Sequence, residues 1–340
     1  MREPRRRAVA RGVAVLGAVL SCCVAAPAVA AAADTPTGCT EQRLPVQVAG
    51  RQYTVAGTLC VPEGEVRGIQ VLAHGGTYTR QYWDWPINSD QLSYVEHALA
   101  DGYATFAYDR LGVGETDRPF GLTTTVSHGA DALHQVISWA SSLYDDVTVV
   151  SHSLGSAIAV NEAGRYDDAD RLVVTGLLHV PFSARTPVSF ATDITYPACL
   201  DPVTKGYGCD YLTSRPGARG DLVYSDTADP AVIEYDEAHK SAMAAGQLAS
   251  GITELAPGTA PASRIRIPVL LAMGGKDFFC GALLQPCTEA SIRESESRYY
   301  ANAASFDVYV EPTSGHNLAL HPTAPQTEDA IDAWIRSQQK

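Results

Sequence analysis

Three residues with the side chains of a nucleophilic enzyme, Ser153, Asp277 and His316, each come shortly after a short run of apolar residues. A serine becomes a strong nucleophile when a base, commonly histidine, takes its proton and a carboxylate orients that base. Short apolar runs predict buried strands, and sheet enzymes carry reactive groups at the carboxyl ends of their strands. The pattern therefore predicts acyl transfer, with Ser153 as nucleophile, His316 as base and Asp277 as the orienting acid.

Ser153 lies at a junction between a predicted strand and a predicted helix. The run Val147–Val150 leads through Ser151–Gly155 into a stretch of small residues, without a loop between them. Such a turn strains the central residue and tolerates only small neighbours, here Ser151 and Gly155. It would hold the Ser153 hydroxyl at a helix N-terminus, where N–H groups favour negative charge. The alternative is that a serine here only caps the helix.

The other two residues are ambiguous when taken singly. Asp277 ends a Gly-Gly-Lys-Asp stretch after the predicted strand Pro268–Met273, and His316 follows the predicted strand Ser305–Val310. An aspartate after two glycines is commonly a turn residue, and a histidine near the end of a chain is commonly exposed. Their shared position beyond strand ends favours one common site with Ser153.

A glycine-rich turn follows an early predicted strand and could bind the oxyanion of the reaction. The strand Gly68–Ala73 ends in His74-Gly75-Gly76-Thr77. An oxyanion hole combines the N–H of the residue after the nucleophile with a second N–H from such a loop. We expect Leu154 and Gly76 to supply the two donors, with Thr77 next to them. The alternative is a plain turn.

Taken together, these motifs resemble the α/β-hydrolase superfamily over about residues 44–339. The segments that carry the resemblance are Ser151-His152-Ser153-Leu154-Gly155, His74-Gly75-Gly76, Tyr108–Gly114, Gly275-Lys276-Asp277 and Gly315-His316. The chain order serine, aspartate, histidine is also that of the superfamily. Ser151 departs from it, since glycine is more common there. The resemblance implies a secreted serine esterase or lipase that needs no cofactor and no metal.

The order of the predicted elements agrees with that fold class. From about residue 46, short apolar runs alternate with amphipathic ones, which predicts an α/β fold with a mostly parallel sheet flanked by helices. Residues 182–262 break the alternation, and their only good helical stretch is Glu237–Leu255. We expect residues 31–340 to form one domain in which 182–262 is an inserted lid.

Aromatic residues near the glycine-rich turn and in the predicted lid suggest an apolar substrate pocket, for which we select Tyr78, Trp83 and Phe182. Most such residues could instead pack the lid on the core. An uncharged apolar ester is the expected small-molecule substrate. Lactones, thioesters and amides use the same machinery, and a protein that binds or rearranges a small molecule without hydrolysis is a further alternative, ahead of an adhesion module.

The first thirty residues predict an export signal, with a basic start, an apolar run and an Ala28-Val29-Ala30 cleavage site. The run is too short for a comfortable membrane span. Lipid anchoring through Cys22 is a second possibility. The formal net charge of −13 argues against nucleic acid as a partner, because phosphate binding needs clustered basic residues. The sequence leaves the oligomeric state open.

Six cysteines remain after the predicted signal, in couples that are close in sequence. They are Cys39 with Cys60, Cys199 with Cys209, and Cys280 with Cys287. We predict three disulfides in that order, from sequence proximity alone. Disulfides persist in oxidising surroundings, so this usage agrees with an exported protein.

Overall fold

An eight-stranded sheet forms the centre of the fold in a computed structural model that describes residues 38–179, 192–254, 261–279 and 287–339. The strands in these described residues are β1 (Gly38–Val48), β2 (Arg51–Val61), β3 (Ile69–Ala73), β4 (Ala104–Tyr108), β5 (Val147–His152), β6 (Arg171–Thr175), β7 (Tyr196–Pro197), β8 (Tyr211–Thr213), β9 (Met243–Ala244), β10 (Val269–Gly274) and β11 (Phe306–Glu311). The large sheet has the order β1-β2-β4-β3-β5-β6-β10-β11. Its β1–β2 and β2–β4 pairs are antiparallel and its other pairs are parallel. The predicted fold class is confirmed.

Helices cover both faces of this sheet. The described helices are α1 (Ser89–Leu92), α2 (Tyr94–Ala100), α3 (Val126–Ser141), α4 (Leu154–Ala163), α5 (Arg219–Val223), α6 (Pro230–His239), α7 (Ala245–Glu254), α8 (Glu289–Glu296) and α9 (Ala324–Gln338). Alternate residues of a strand belong to different hydrophobic clusters. Val149 shares a cluster with residues of α3, α4 and α8, and Val150 shares the other with residues of α2 and α9. None of the helices in the described residues has the length and apolar character needed to cross a membrane.

The region between β6 and β10 has structure of its own. Residues 192–254 contain α5, α6, α7 and a small antiparallel sheet of order β7-β8-β9. The predicted helix Glu237–Leu255 is wrong, because α6 ends at His239 and α7 begins only at Ala245. Between them Lys240 adopts ψ 151°, and Met243–Ala244 joins the small sheet as β9. Whether 182–262 acts as a lid stays a prediction.

Two of the three predicted disulfides are present. Cys39 lies directly opposite Cys60 in the β1–β2 register and is bonded to it, and Cys199 is bonded to Cys209. Cys280 lies outside the described residues, so its pairing with Cys287 stays a prediction. The predicted export signal and Cys22 also lie outside them, while all described residues belong to one compact unit, Pro36–Lys340.

Candidate active site

Ser153 occupies a strained turn between β5 and α4. Its backbone has φ 52° and ψ −116°, and its N–H donates a 2.9 Å hydrogen bond to the Thr175 carbonyl in β6. A non-glycine residue held this way costs about 1–3 kcal/mol, so the surrounding contacts must enforce it. Gly155 allows the close approach of α4 to β3, because a Cβ there would lie 2.3 Å from the Ala73 carbonyl oxygen. The predicted strand-turn-helix junction is therefore present.

Ser151, at the position where the resembling enzymes more often have glycine, fits this turn through hydrogen bonds. Its hydroxyl donates to the Val173 carbonyl at 2.8 Å and lies 3.1 Å from the Ser156 hydroxyl. The residue is completely buried. Its polar atom is thus paired, and the departure from glycine leaves no unsatisfied group in the core.

The fold brings Ser153, His316 and Asp277 into one hydrogen-bonded array. Ser153 Oγ and His316 Nε2 are 2.9 Å apart, and His316 Nδ1 and Asp277 Oδ2 are also 2.9 Å apart. A carboxylate only accepts hydrogen bonds, so His316 carries its proton on Nδ1, and this N–H donates a hydrogen bond to Asp277. His316 Nε2 then offers a lone pair to the Ser153 hydroxyl, which is the arrangement a general base requires.

Asp277 is fixed in its orientation by the chain around it. Its carboxylate is buried, and its Oδ1 accepts a 2.9 Å hydrogen bond from the Phe279 N–H. The ring of Phe278 lies 4.3 Å from the His316 ring, centroid to centroid. These aromatic neighbours exclude water around the imidazole, which strengthens its interaction with the carboxylate.

His152 packs against His316 without adding charge to the site. Its ring stacks on Tyr82 at 4.6 Å and lies 4.8 Å from the His316 ring. Burial, followed by the nearby His316, lowers the pKa of His152 well below the ordinary histidine value. His152 is therefore neutral at physiological pH and packs as an uncharged aromatic ring against His316.

The orientation of the Gly76 N–H follows from the contacts of the preceding carbonyl. The Gly75 oxygen accepts hydrogen bonds from Arg110 Nη2 at 3.0 Å and from His74 Nδ1 at 2.9 Å. Because the peptide is planar and trans, holding this carbonyl on one side turns the Gly76 N–H to the other side. Gly76 and Leu154 both line the cavity above Ser153, and Leu154 opens α4, so its N–H has no partner within the helix.

Thr77 is held from the region between β6 and β10. Its backbone has φ 62°, its carbonyl accepts from the Ser241 N–H at 2.8 Å, and its hydroxyl accepts from Arg219 Nη1 at 2.9 Å. Arg219 Nε also lies 2.8 Å from Asp236 Oδ2, and both side chains of this ion pair are almost wholly buried. Arg219 therefore belongs to the surroundings of the site, although no sequence motif marks it.

Tyr78 joins this ion pair to the loop that carries His316. Its hydroxyl donates to Asp236 Oδ2 at 2.8 Å and accepts from Asn317 Nδ2, and Asn317 directly follows His316 in the chain. The Arg219 guanidinium lies 4.3 Å from the centre of the Tyr78 ring. Burial raises the pKa of Tyr78 well above its ordinary value, so the phenol keeps its proton and remains a donor.

A cavity of about 80 Å³ opens beside Ser153 and His316. Its described lining consists of glycines and apolar side chains, apart from Thr77, Tyr78, His152, Ser153 and His316. The apolar side chains are Leu154, Ala157, Leu177, Ile194, Val223, Met243, Leu248, Phe278 and Phe279. No charged side chain is among the described lining residues, so the cavity suits an uncharged apolar group.

The three predicted pocket residues do not all line the cavity. Tyr78 lines the cavity, but Trp83 does not: it is buried in the core and packs edge-on against Tyr82 and Tyr94, so its selection was wrong. Phe182 lies outside the described residues. Sequence reasoning missed Phe278 and Phe279, although their position directly after Asp277 is a usable signal. It also missed Met243, which lies in the irregular region where no periodic pattern points to a site.

Two groups of side chains in the described part of the chain have donor types and spacings that a metal ion could use. One is His97, Asp101 and Asp332, and the other is His134, Glu162 and Asp168. Neither group contains a residue of the Ser153 array or of the cavity lining.

Solved structures with this fold include several named for ester chemistry. The chain superposes on a thermophilic esterase from Thermogutta terrifontis with a TM-score of 0.57 and 17% identity, covering 88% of this chain and 100% of that one. For a monoacylglycerol lipase from Paleococcus ferrophilus the TM-score is 0.56 with 18% identity over 88% and 100% of the two chains. For a putative aryl esterase from Burkholderia cenocepacia it is 0.61 with 18% identity over 87% and 99%. At identities this low, the superpositions show a shared fold and nothing more.

No curated protein matches the sequence. The profile of the Alpha/beta hydrolase family, in contrast, matches residues 70–327, a span that begins in β3 and ends in α9 and so includes Ser153, Asp277 and His316. With the sheet order, the strained turn and this match all in agreement, the chain belongs to the alpha/beta hydrolase family.

Proposed function

We propose that the protein is a secreted serine esterase that hydrolyses uncharged carboxylic esters with a short apolar acyl group. The observation that carries the proposal is the continuous hydrogen-bonded array from Asp277 through His316 to Ser153, with the serine on a strained turn at a helix N-terminus. A serine that only capped the helix would bond to its backbone, whereas the Ser153 side chain makes no cap hydrogen bond.

In the proposed mechanism, His316 Nε2 takes the Ser153 proton as Oγ forms a bond to the ester carbonyl carbon. The carbonyl π electrons move to its oxygen, and the Gly76 and Leu154 N–H groups stabilise that oxyanion. When the tetrahedral species collapses, the C–O bond to the alcohol breaks and His316 gives its proton to the departing alkoxide. Water then attacks the acyl-enzyme with His316 again as base, which releases the acid and restores Ser153.

The size and lining of the cavity support the substrate class. Drug-sized ligand pockets enclose roughly 300–1,000 Å³, so a cavity of about 80 Å³ suits a chain of only a few carbons. Its apolar lining would leave a charged acyl group without a partner, which is costly. The names of the structurally similar proteins, an esterase, a monoacylglycerol lipase and a putative aryl esterase, agree with ester substrates.

Export is part of the proposal. The two disulfides agree with an oxidising destination, as do the basic start and apolar run of the first thirty residues. We expect the protein recovered from the culture medium to begin at Ala31, which N-terminal sequencing and intact mass would establish. Retention in the membrane with a lipid on Cys22 would instead establish the anchored alternative.

The test is hydrolysis of p-nitrophenyl esters from acetate to octanoate by the mature, disulfide-intact protein and by Ser153→Ala. Ser142→Ala, at the exposed end of α3, is the matched control. We expect Ser153→Ala to lose at least about 10⁴-fold in kcat while the control keeps the wild-type value. We also expect kcat/KM to peak at a short acyl chain and a fluorophosphonate to label Ser153.

Other outcomes would redirect the proposal. Labelling of Ser153 without ester turnover would point to a lactone, thioester or amide substrate for the same serine. Absence of both turnover and labelling would overturn the hydrolase and favour a protein that binds or rearranges a small molecule.

A further inference from the structure

The buried ion pair Arg219–Asp236 connects the region between β6 and β10 to both sides of the site. Arg219 lies in α5 and Asp236 in α6, and each is only 1% exposed. Removing two charges from water costs several kcal/mol per ion, so an ion pair of this kind is weak evidence for stability alone.

On one side, the pair contacts the residue that follows the predicted oxyanion donor. Arg219 Nη1 donates to the Thr77 hydroxyl at 2.9 Å, and Thr77 has a left-handed backbone with φ 62°. A threonine holds that conformation only when its surroundings enforce it. Holding Thr77 in this conformation fixes the Gly76–Thr77 peptide on one side of Gly76. The Gly76 N–H belongs to the preceding peptide, whose carbonyl is held by Arg110 and His74, so Gly76 lies between two fixed peptides.

On the other side, the pair contacts the loop of the base through Tyr78. Asp236 Oδ2 accepts from the hydroxyls of Tyr78 and Tyr224, both at 2.8 Å, and Tyr78 in turn accepts from Asn317. Burial alone would lower the pKa of Arg219, but the nearby Asp236 side chain raises it, so Arg219 keeps its charge. The ion pair is thus linked through Thr77 to the Gly76 turn, and through Tyr78 and Asn317 to the loop that carries His316.

We propose that Arg219 and Asp236 are positioning residues for acyl transfer, which hold the Thr77 end of the turn and so keep Gly76 at the place where the oxyanion forms. This inference rests on the proposed esterase function. Neither residue lines the cavity, so the pair acts through Thr77 and Tyr78 and not on the substrate. The expected signature is a loss of transition-state stabilisation with little change in substrate binding.

The first variant is Arg219→Lys, which keeps a positive charge for Asp236 but lacks the fork that also reaches Thr77. We expect kcat to fall about 10- to 100-fold while KM stays within twofold of wild type. A displaced N–H group stabilises the oxyanion little better than a missing one does. A short-chain boronic acid, which forms a tetrahedral adduct with the serine, should show an inhibition constant raised by the same factor as kcat/KM falls.

The matched control is Arg171→Lys. Arg171 is another buried arginine, but it begins β6 and pairs with Asp146, which directly precedes β5. This pair therefore lies at the amino ends of the strands, whereas Ser153 follows the carboxyl end of β5. We expect it to lower Tm as much as Arg219→Lys does while kcat stays within twofold of wild type. A role in stability alone predicts that the two variants behave alike.

Thr77→Val is the second variant, and it keeps the ion pair intact while removing the hydroxyl that Arg219 contacts. In the double variant, its effects on kcat and on boronate inhibition should not add to those of Arg219→Lys. Both substitutions remove the same hydrogen bond, between Arg219 and the Thr77 hydroxyl. If Arg219→Lys fails to fold, Thr77→Val tests the positioning role by itself. Folded variants with wild-type kcat and boronate affinity would overturn the inference, whereas an inactive, unlabelled wild-type protein would overturn the proposed function itself.

Discussion

Gly176, one residue beyond β6, allows the chain to pass close to both histidines of the site. It has φ 62°, and a Cβ there would lie 2.8 Å from His152 Cε1 and 3.1 Å from His316 Cε1. We expect Gly176→Ala to displace His316 from Ser153 and to lower kcat of the proposed esterase reaction by about 10-fold or more. Ester hydrolysis under saturating substrate is the measurement.

Gly217 provides the matched control for that prediction. It has a similar φ of 78°, but no atom lies within 4 Å of a Cβ placed there. Gly217→Ala and Gly176→Ala should both lose about 1 kcal/mol of stability from backbone strain. Equal kcat values in the two variants would show that the contact with the histidines has no catalytic consequence.

Single residues differ in how readily the sequence reveals them. Ser153, Asp277 and His316 could be selected because each has a reactive side chain and follows a predicted strand, and the structure brings the three together. Gly176 and Arg219 could not, since their importance depends on neighbours distant in sequence. Trp83 was misjudged because an aromatic residue near a glycine-rich turn can face the core as easily as a cavity.

Lys240 joins the small sheet to the elements around it, at the place where a continuous helix was wrongly expected. Its buried Nζ lies 2.8 Å from Asp201 Oδ2 and 2.6 Å from Glu237 Oε1, and it donates to the Ser214 carbonyl at 3.0 Å. We expect Lys240→Met to lower the free energy of unfolding by about 3 kcal/mol, because Asp201 would remain buried without its partner. Urea denaturation measures this loss.

Replacing the partner as well separates loss of pairing from loss of packing. In Lys240→Met/Asp201→Asn the uncompensated charge is gone, so we expect part of the lost stability to return. A double variant that is less stable than Lys240→Met would contradict this explanation.

Elements were predictable where the hydrophobic period was clear. The inward stripe of α3 and the buried runs of β3, β5 and β10 follow directly from the spacing of apolar residues. The break between α6 and α7 was not predictable, because Lys240 and Met243 are good helix formers and only tertiary contacts draw them out of a helix. The segment Arg171–Val180 is mostly apolar, yet β6 ends at Thr175, where Gly176 turns the chain.

The stability of the whole fold should depend on pH through a carboxyl group buried far from the site. Glu162 in α4 is only 1% exposed, and burial, followed by a hydrogen bond with Asp168, raises its pKa from the ordinary 4.5 to about 10. A carboxyl group with a raised pKa binds its proton more tightly when folded. Its contribution is complete below about pH 4.5 and is lost as the pH rises towards 10.

Glu162→Gln keeps an uncharged donor beside Asp168 and removes this titration. We expect wild-type stability to fall between pH 7 and pH 9 more steeply than that of the variant, with urea midpoints at each pH as the measurement. Glu115→Gln, at an exposed glutamate, should follow the wild-type curve. Parallel curves for wild type and Glu162→Gln would mean that Glu162 does not hold its proton in the folded protein.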